Sequence, residues 1–401
     1  MWWVLFMNRD ESPDPIAPAP HPLGRLMQWL AVCLLVYLLL ASVGMIATGF
    51  KLAAGDQARS LFEFARNPFS GLVIGTVATA IIQSSSTVSS IIVGLVAGGV
   101  PVEIAIPMIM GANIGTSLTN TIVSLGHMRA GEEFRRAFAA ATIHDSFNLL
   151  SVALFLPLEM AFQPLERLSY WTSGLLARTG PVDATEAQPH LLEAALSPMV
   201  NGAADLAQAC APKVVAGVLL AVAGVAGILL VVMALSKLLR RIMVGRIMVG
   251  RALKLLSASM GRGPVSGILF GTGITVLVQS SSTTTSLVVP LAATGHFSLR
   301  QVYPFTLGAN IGTCITALLA AAAVTEGNAR FALEIALVHF WFNVLGVVVI
   351  YGIPFLRDLP IRCAEWLAEI SMRNKLCALG YIATVFFIVP GLLLGLTRLL
   401  E

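Results

Sequence analysis

The pentapeptide Gln-Ser-Ser-Ser-Thr occurs twice in this chain, at 83–87 and at 279–283, each time inside a stretch that is otherwise almost wholly apolar. Five uncharged polar side chains in such surroundings are costly to bury unless they bind something. A fold for this chain must therefore bring both copies to a place where that cost is offset, and the duplication points to a site built from two related halves. The surroundings are those of a membrane. Charged residues make up 11% of the 401 and apolar residues 57%, against about 25% charged in a typical soluble domain. Runs of the ~20 residues needed to cross hydrocarbon are found at 29–50, 104–125, 137–158, 214–235, 302–324, 331–354 and 376–396. The expected fold class is an all-α polytopic membrane protein.

Aligned with itself, the chain repeats. Residues 67–90 and 263–286 match without gaps at 12 of 24 positions. The match resumes with Gly-Ala-Asn-Ile-Gly-Thr at 111–116 and 308–313, then with His144, Phe147 and Asn148 against His339, Phe342 and Asn343. Before Gln83 the apolar stretch has 15 residues, or about 22 Å of helix, and only about 11 follow Thr87 before Gly98-Gly99 and Pro101. Neither limb spans alone. A re-entrant hairpin with the serines at its tip fits both lengths. One continuous helix packing through Gly71 and Gly75, or Gly267 and Gly271, is the alternative, but the two limbs together exceed one span by about ten residues.

Each copy then makes three crossings, so the second enters the membrane inverted. With the N-terminus inside, 17 of the 25 Lys and Arg are cytoplasmic, in keeping with the positive-inside rule. The organisation expected is a flexible Pro-rich tail (1–24) without a signal peptide, repeat 1 (25–160, hairpin 67–99) and an extracytoplasmic connection (161–211). Repeat 2 (212–356, hairpin 263–295) and an interfacial segment with a C-terminal helix (357–401) follow. Arg241-Ile-Met-Val-Gly recurs at Arg246 and is closed by Arg251, which reads as a basic interfacial segment. The five cysteines have neither metal nor disulfide spacing.

No Lys or Arg occurs at 67–128, 263–297 or 301–329, so basic side chains from these segments do not hold the ligand. Serine and threonine hydroxyls and the N–H groups opening a half-helix donate to anions, and serine suits the N-cap of the limb after each turn. The same hydroxyls, with Gln and Asn carbonyls, ligate a hard cation such as Na⁺. An anion of charge near −2 at the midplane is poorly neutralised without co-entering cations, which makes coupling an electrostatic requirement. Asp145 is an intramembrane carboxylate and by default a functional residue, here a further cation ligand; its match in the second copy is Phe340. A salt bridge to Arg135 or Arg136 is the plainer alternative, set back by their distance along the helix. His144 and His339 read best as hydrogen-bonded structural residues, with a proton-sensitive role as the alternative. Asn148 and Asn343 divide evenly between interhelical bonding and ion binding.

These motifs carry a resemblance. The doubled Gln-Ser-Ser-Ser, the Asn-Ile-Gly-Thr after each copy, and Phe134-Arg135-Arg136-Ala137-Phe138 leading into His144-Asp145-Ser146-Phe147-Asn148 resemble the type II sodium-phosphate cotransporters over about 25–354. The resemblance implies sodium-coupled symport of inorganic phosphate by an elevator-like alternating-access cycle. By motif, it implies that Ser84, Ser85, Ser86, Ser280, Ser281 and Ser282 contact phosphate. Gln83, Thr87, Asn113, Thr116, Gln279, Thr283, Asn310 and Thr313 would then line the sodium sites, with His144, Asn148, His339 and Asn343 in support. Asp145 matches an aspartate that supports an additional sodium ion in electrogenic members, so electrogenic transport is expected. The single cysteine in the connection, Cys210, departs from the loop disulfides of animal members.

Expected partners are inorganic phosphate, Na⁺ and the lipid bilayer, with a homodimer left open, no nucleic acid, and no cofactor beyond the transported Na⁺. The preferred location is a plasma membrane, a bacterial inner membrane above others. The rival function is sodium-coupled carriage of another oxyanion such as sulfate or arsenate. A membrane enzyme acting on phosphate esters lacks a nucleophile with a base at usable spacing.

Overall fold

The computed structural model describes residues 22–54, 67–179, 182–244, 256, 258–324 and 328–400. They are almost entirely helical, with no strand among the described residues. In chain order the helices are α1 (Pro22–Ala54), α2 (Pro68–Ile82), α3 (Ser85–Ala97), α4 (Val102–Thr116), α5 (Leu118–Ser124) and α6 (Glu132–Phe162). Then come α7 (Pro164–Thr179), α8 (Val182–Cys210), α9 (Lys213–Val244), α10 (Pro264–Val278), α11 (Ser281–Ser286), α12 (Val288–Ala293) and α13 (Leu299–Ala322). The last are α14 (Ala329–Gly346), α15 (Pro354–Arg373), α16 (Lys375–Ala383) and α17 (Val389–Leu400). Short π-helical turns at Val347–Tyr351 and Thr384–Ile388 join α14 to α15 and α16 to α17.

Among the described residues seven segments are long and apolar enough to cross a membrane: Leu26–Ala53, Val102–His127, Glu132–Phe162, Lys213–Leu239, Leu299–Ala322, Ala329–Tyr351 and Lys375–Thr397. Each coincides with one of the seven runs read from the sequence, and the chain is an all-α multi-pass membrane protein. Pro68–Ile82, Ser85–Ala97 and Pro264–Val278 are apolar but shorter.

The duplicated segments fold alike. α2 ends at Gln83 and α10 at Gln279, both in the left-handed region, at φ 61° and 56°. Left-handed backbone costs a side-chain-bearing residue about 1–2 kcal/mol, so glycine is the usual occupant. The glutamine amide offsets that cost. Its Nε2 donates to a carbonyl three residues back, Ala80 O at 2.7 Å or Val276 O at 2.6 Å, which satisfies one of the acceptors orphaned at a helix end. Ser84 and Ser280 follow in extended conformation and N-cap the next helix.

α2 packs far more on α4, and α10 on α13, than on the helix that directly follows each turn. Glycines permit it: a methyl added at Gly75 would strike the Met108 carbonyl oxygen and one at Gly111 the Leu72 carbonyl oxygen. Gly271 against Phe305 and Gly308 against Ile268 repeat the arrangement. Thus the glycine face serves helix packing and the helix is nevertheless broken at glutamine. The opening helices of the two copies, α1 and α9, cross closely at Gly49 and Gly217.

One boundary differs from expectation. Helix α1 starts at Pro22 rather than after residue 24, because proline is pre-organised for a first turn where its missing N–H costs nothing; residues 1–21 lie outside the described residues. The connection at 161–211 is built mostly of α7 and α8. The basic repeat is described only to Val244, at the end of α9, and its Arg246 and Arg251 lie outside the described residues.

Candidate functional site

At both tips the serine run closes its own turn. The Ser84 hydroxyl accepts from Thr87 N at 3.3 Å and shares a 2.8 Å bond with the Thr87 hydroxyl. Ser280 accepts from Thr283 N at 3.2 Å and donates to the Thr283 hydroxyl at 2.9 Å. These four hydroxyls are therefore engaged in capping. Ser85, Ser86, Ser281 and Ser282 are buried, and among the described residues their hydroxyls take no hydrogen-bond partner.

Each glutamine is tied to the helix behind it. Thr119 donates to Gln83 Oε1 at 2.8 Å, and Thr316 to Gln279 Oε1 at 2.9 Å. The sequence reading missed this pair, although a signal was present: both threonines stand three residues beyond the matched Gly-Ala-Asn-Ile-Gly-Thr motifs, at the same offset. Thr116 and Thr313 donate to the carbonyls of Ala112 and Ala309, which leaves oxygen lone pairs for a cation.

A continuous polar chain joins the copies. Thr285 and Ser286, on the return limb of the second hairpin, donate to Asn120 Oδ1 at 2.9 and 3.1 Å. Asn120 Nδ2 lies 3.2 Å from His144 Nδ1, and His144 Nε2 lies 2.6 Å from Asn310 Oδ1. Asn310 Nδ2 donates to Asn148 Oδ1 at 2.8 Å, and Asn148 Nδ2 to the Asn113 carbonyl at 2.7 Å. One assignment satisfies every member: Nδ1 of His144 accepts and its Nε2 carries the proton, so the imidazole is neutral. His144 is hydrogen-bonded at both ring nitrogens, and Asn148 bonds across to Asn310 of the other copy. The chain ties the return limb after the second serine run to α4, α5 and α6 of the first copy and back to Asn310; it does not include Ser84–Ser86, and among the described residues no hydrogen bond joins the two serine runs.

His339 departs from expectation. It is fully buried, yet neither ring nitrogen has a partner, and Asn343 Oδ1 is also unpartnered. The cause lies in the neighbours. Asn343 Nδ2 turns to the His339 carbonyl at 2.9 Å and to Cys314 Sγ at 3.4 Å instead of crossing to the other copy. Asn113, which would be its counterpart to Asn310, donates to Ile109 O within its own helix.

Asp145 is 1% exposed. Its Oδ2 accepts from Thr121 and from Tyr381, each at 3.0 Å, and its Oδ1 has no partner. The salt-bridge alternative is not realised: Arg135 pairs with Glu132 at 2.9 Å, and Arg136 donates from Nε to the Ala293 carbonyl at 2.9 Å. A buried carboxyl group with one oxygen free and no basic partner offers that oxygen to a cation or a proton. Tyr381 comes from α16, in the last crossing, and nothing in its sequence surroundings marks it. Arg136 clasps the foot of the second hairpin, as Asn328 Nδ2 clasps the Ala97 carbonyl at 3.1 Å at the foot of the first; both lie at the far ends of the return limbs from the serines.

The Na⁺/Pi-cotransporter family model matches residues 38–168 and 228–356. The chain is similar to sodium-dependent phosphate transport protein 2A of Mus musculus, 32% identical over 98% of this chain and 71% of that protein. It is also similar to protein 2B of Bos taurus, 32% identical over 92% and 65%, and of Homo sapiens, 33% identical over 94% and 65%. The chain therefore spans about two thirds of the length of these relatives. No solved structure matches it.

Proposed function

The chain belongs to the Na⁺/Pi-cotransporter family, and from that premise we propose that it carries inorganic phosphate across the membrane together with Na⁺, by elevator-like alternating access, with net movement of charge. The observation that carries this reading is the pair of equivalent tips. Each presents two buried serine residues beside a capping serine, after a glutamine held in left-handed backbone. Hydroxyl donors from Ser85, Ser86, Ser281 and Ser282, oriented by the capping serines Ser84 and Ser280, suit a tetrahedral oxyanion. Gln83, Gln279, Asn113, Asn310, Thr116 and Thr313 supply neutral oxygens to Na⁺, with Thr87 and Thr283 bracing the turns. Asp145 provides the one formal negative charge for an additional sodium ion. His144, Asn148, His339 and Asn343 support the helices that carry these groups.

In this reading the two copies are inverted repeats whose hairpins are re-entrant, and the glycine contacts let each first limb move with the helix behind it as one body. The protein is a carrier, not an enzyme, and its membrane is a plasma membrane, that of a bacterial cell by preference. Hydroxyls and amides alone discriminate weakly among tetrahedral anions, which keeps arsenate and sulfate as rival cargo. Purified protein in proteoliposomes should accumulate radiolabelled phosphate when a Na⁺ gradient is imposed and not when K⁺ replaces it. Uptake indifferent to Na⁺, or sulfate competing as well as phosphate, would overturn the proposal.

A further inference from the structure

A threonine inside a helix ordinarily turns its hydroxyl back to the carbonyl four residues earlier. Buried threonines in this protein do so: Thr76 on Leu72, Thr116 on Ala112, Thr142 on Phe138, Thr306 on Val302 and Thr313 on Ala309, at 2.7–3.0 Å. Thr79 and Thr275 do not. They are 0% and 1% exposed, and theirs are the only buried threonine hydroxyls without a partner among the described residues. The two are also each other's equivalents, each four residues before the tip glutamine.

A buried hydroxyl left unpaired costs about 1–3 kcal/mol, and the same cost incurred at matched positions in both copies calls for a ligand. The surroundings say which kind. Thr79 packs against Gly115, and Thr275 against Gly312, so closely that an added methyl would lie 2.6 and 2.7 Å from the threonine Cβ atoms. Residues four apart share a helix face, so Thr79 stands one turn below Gln83, and Gly115 one turn below Thr119. The Gln83 amide oxygen and Thr119 hydroxyl already meet there, as do those of Gln279 and Thr316 in the other copy. A hydroxyl oxygen, an amide oxygen and a second hydroxyl oxygen are thus layered between the same two helices, twice, in segments without Lys or Arg. Neutral oxygens of this kind suit a hard monovalent cation.

We propose that Thr79 and Thr275 are Na⁺ ligands, one at each hairpin tip, each completing a set of oxygens with Gln83 and Thr119 or with Gln279 and Thr316. The inference rests on the sodium-coupled reading and adds Thr79, Thr119, Thr275 and Thr316 to the sodium oxygens that it assigns to Gln83 and Gln279. Valine keeps the shape of threonine and removes the oxygen, whereas serine keeps the oxygen.

The test is thermal unfolding of the purified full chain, without phosphate, titrated with Na⁺ against K⁺ at constant ionic strength. Thr79→Val and Thr275→Val should each raise the Na⁺ concentration for half-maximal stabilisation on the order of tenfold or more. Thr79→Ser and Thr275→Ser should stay near wild type. In K⁺ the valine variants should melt at or above the wild-type temperature, because an unpaired hydroxyl is gone. Thr79→Ala and Thr275→Ala, which add no volume, carry the same expectation for Na⁺ should a valine variant fail to fold. Unchanged Na⁺ titrations in all the oxygen-deleting variants, beside a wild type that responds to Na⁺, would overturn the threonine sites alone. A wild type with no Na⁺-specific stabilisation and no Na⁺-driven uptake would overturn the coupled-transport reading itself.

Discussion

The two copies agree at their tips and disagree one layer behind them. At Gln83 and Gln279 the backbone angles, the capping serines and the threonine that braces the glutamine are the same. Behind the tips, the first copy reaches across: His144 and Asn148 both bond Asn310 of the other copy. The second copy turns inward, leaving His339 and Asn343 with unpaired atoms. Substitutions account for the difference. Asn120, which satisfies His144 Nδ1, is matched by Ala317, so His339 has no such donor. Thr121 and Asp145, bonded to each other in the first copy, are matched by Leu318 and Phe340. The acid and its hydroxyl donor have apolar counterparts together, so the second copy buries no carboxyl group at this place and needs no donor for one. Duplication therefore reproduces the backbone of the site, and a handful of side chains decides which copy holds the assembly together and carries charge.

The largest effect separating the copies should appear in stability. His144→Leu removes a donor to Asn310 and an acceptor for Asn120, and each group stranded in this way costs about 1–3 kcal/mol. His339→Leu strands nothing by hydrogen bonding and removes two unpaired nitrogens, so it should leave the melting temperature unchanged or raise it. Thermal denaturation of both variants in the same detergent checks the difference. Equal losses would mean that the inter-copy chain through Asn310 contributes nothing special.

Much of this was legible in the sequence, and the rest was missed for identifiable reasons. The seven long apolar helices among the described residues follow from the length of apolar runs, and the helix limits at 68 and 97 from the distance between Pro68 and Gly98-Gly99. Those are one-dimensional quantities. Ser84 as an N-cap and the serine tip as a break were readable because local backbone chemistry is set by neighbours. Tyr381 and Asn120 were not, since their importance lies in residues more than 20 positions away that tertiary packing brings together, and neither stands in a repeated motif. His339 was misjudged for a related reason. Its equivalence to His144 is real in the alignment, but a histidine's bonding is set by its partners, and the position that holds Asn120 in the first copy holds Ala317 in the second.

A second, smaller effect isolates the charge asymmetry. Asp145→Gly should leave phosphate uptake in place while abolishing the current that accompanies it, because the first copy then resembles the second in having no carboxylate. Each charge moved through the full field is worth about 2.3 kcal/mol per 100 mV, so the accumulation ratio should fall as well. Electrical recording alongside tracer uptake measures both, and an undiminished current per phosphate would remove Asp145 from the sodium pathway. Thr121 and Tyr381 would then be left as donors to a carboxylate of purely structural use.

The smallest effect asks whether the tips are as equivalent in binding as in shape. Ser85→Ala and Ser281→Ala each delete one unpartnered hydroxyl while sparing the capping bonds of Ser84 and Ser280, so the turns should survive. A hydrogen bond to a neutral hydroxyl is worth about 1 kcal/mol net, which corresponds to a rise of roughly fivefold in the phosphate concentration for half-maximal uptake. If both copies grip the same anion, the two variants should shift alike, and the double variant should shift by close to the product of the single effects. A shift confined to Ser85→Ala would place phosphate on the copy that holds the bonded chain and leave the second tip as scaffold. Wild-type kinetics in both would return the serines to helix packing, and the equivalence of the tips would then be a matter of folding alone.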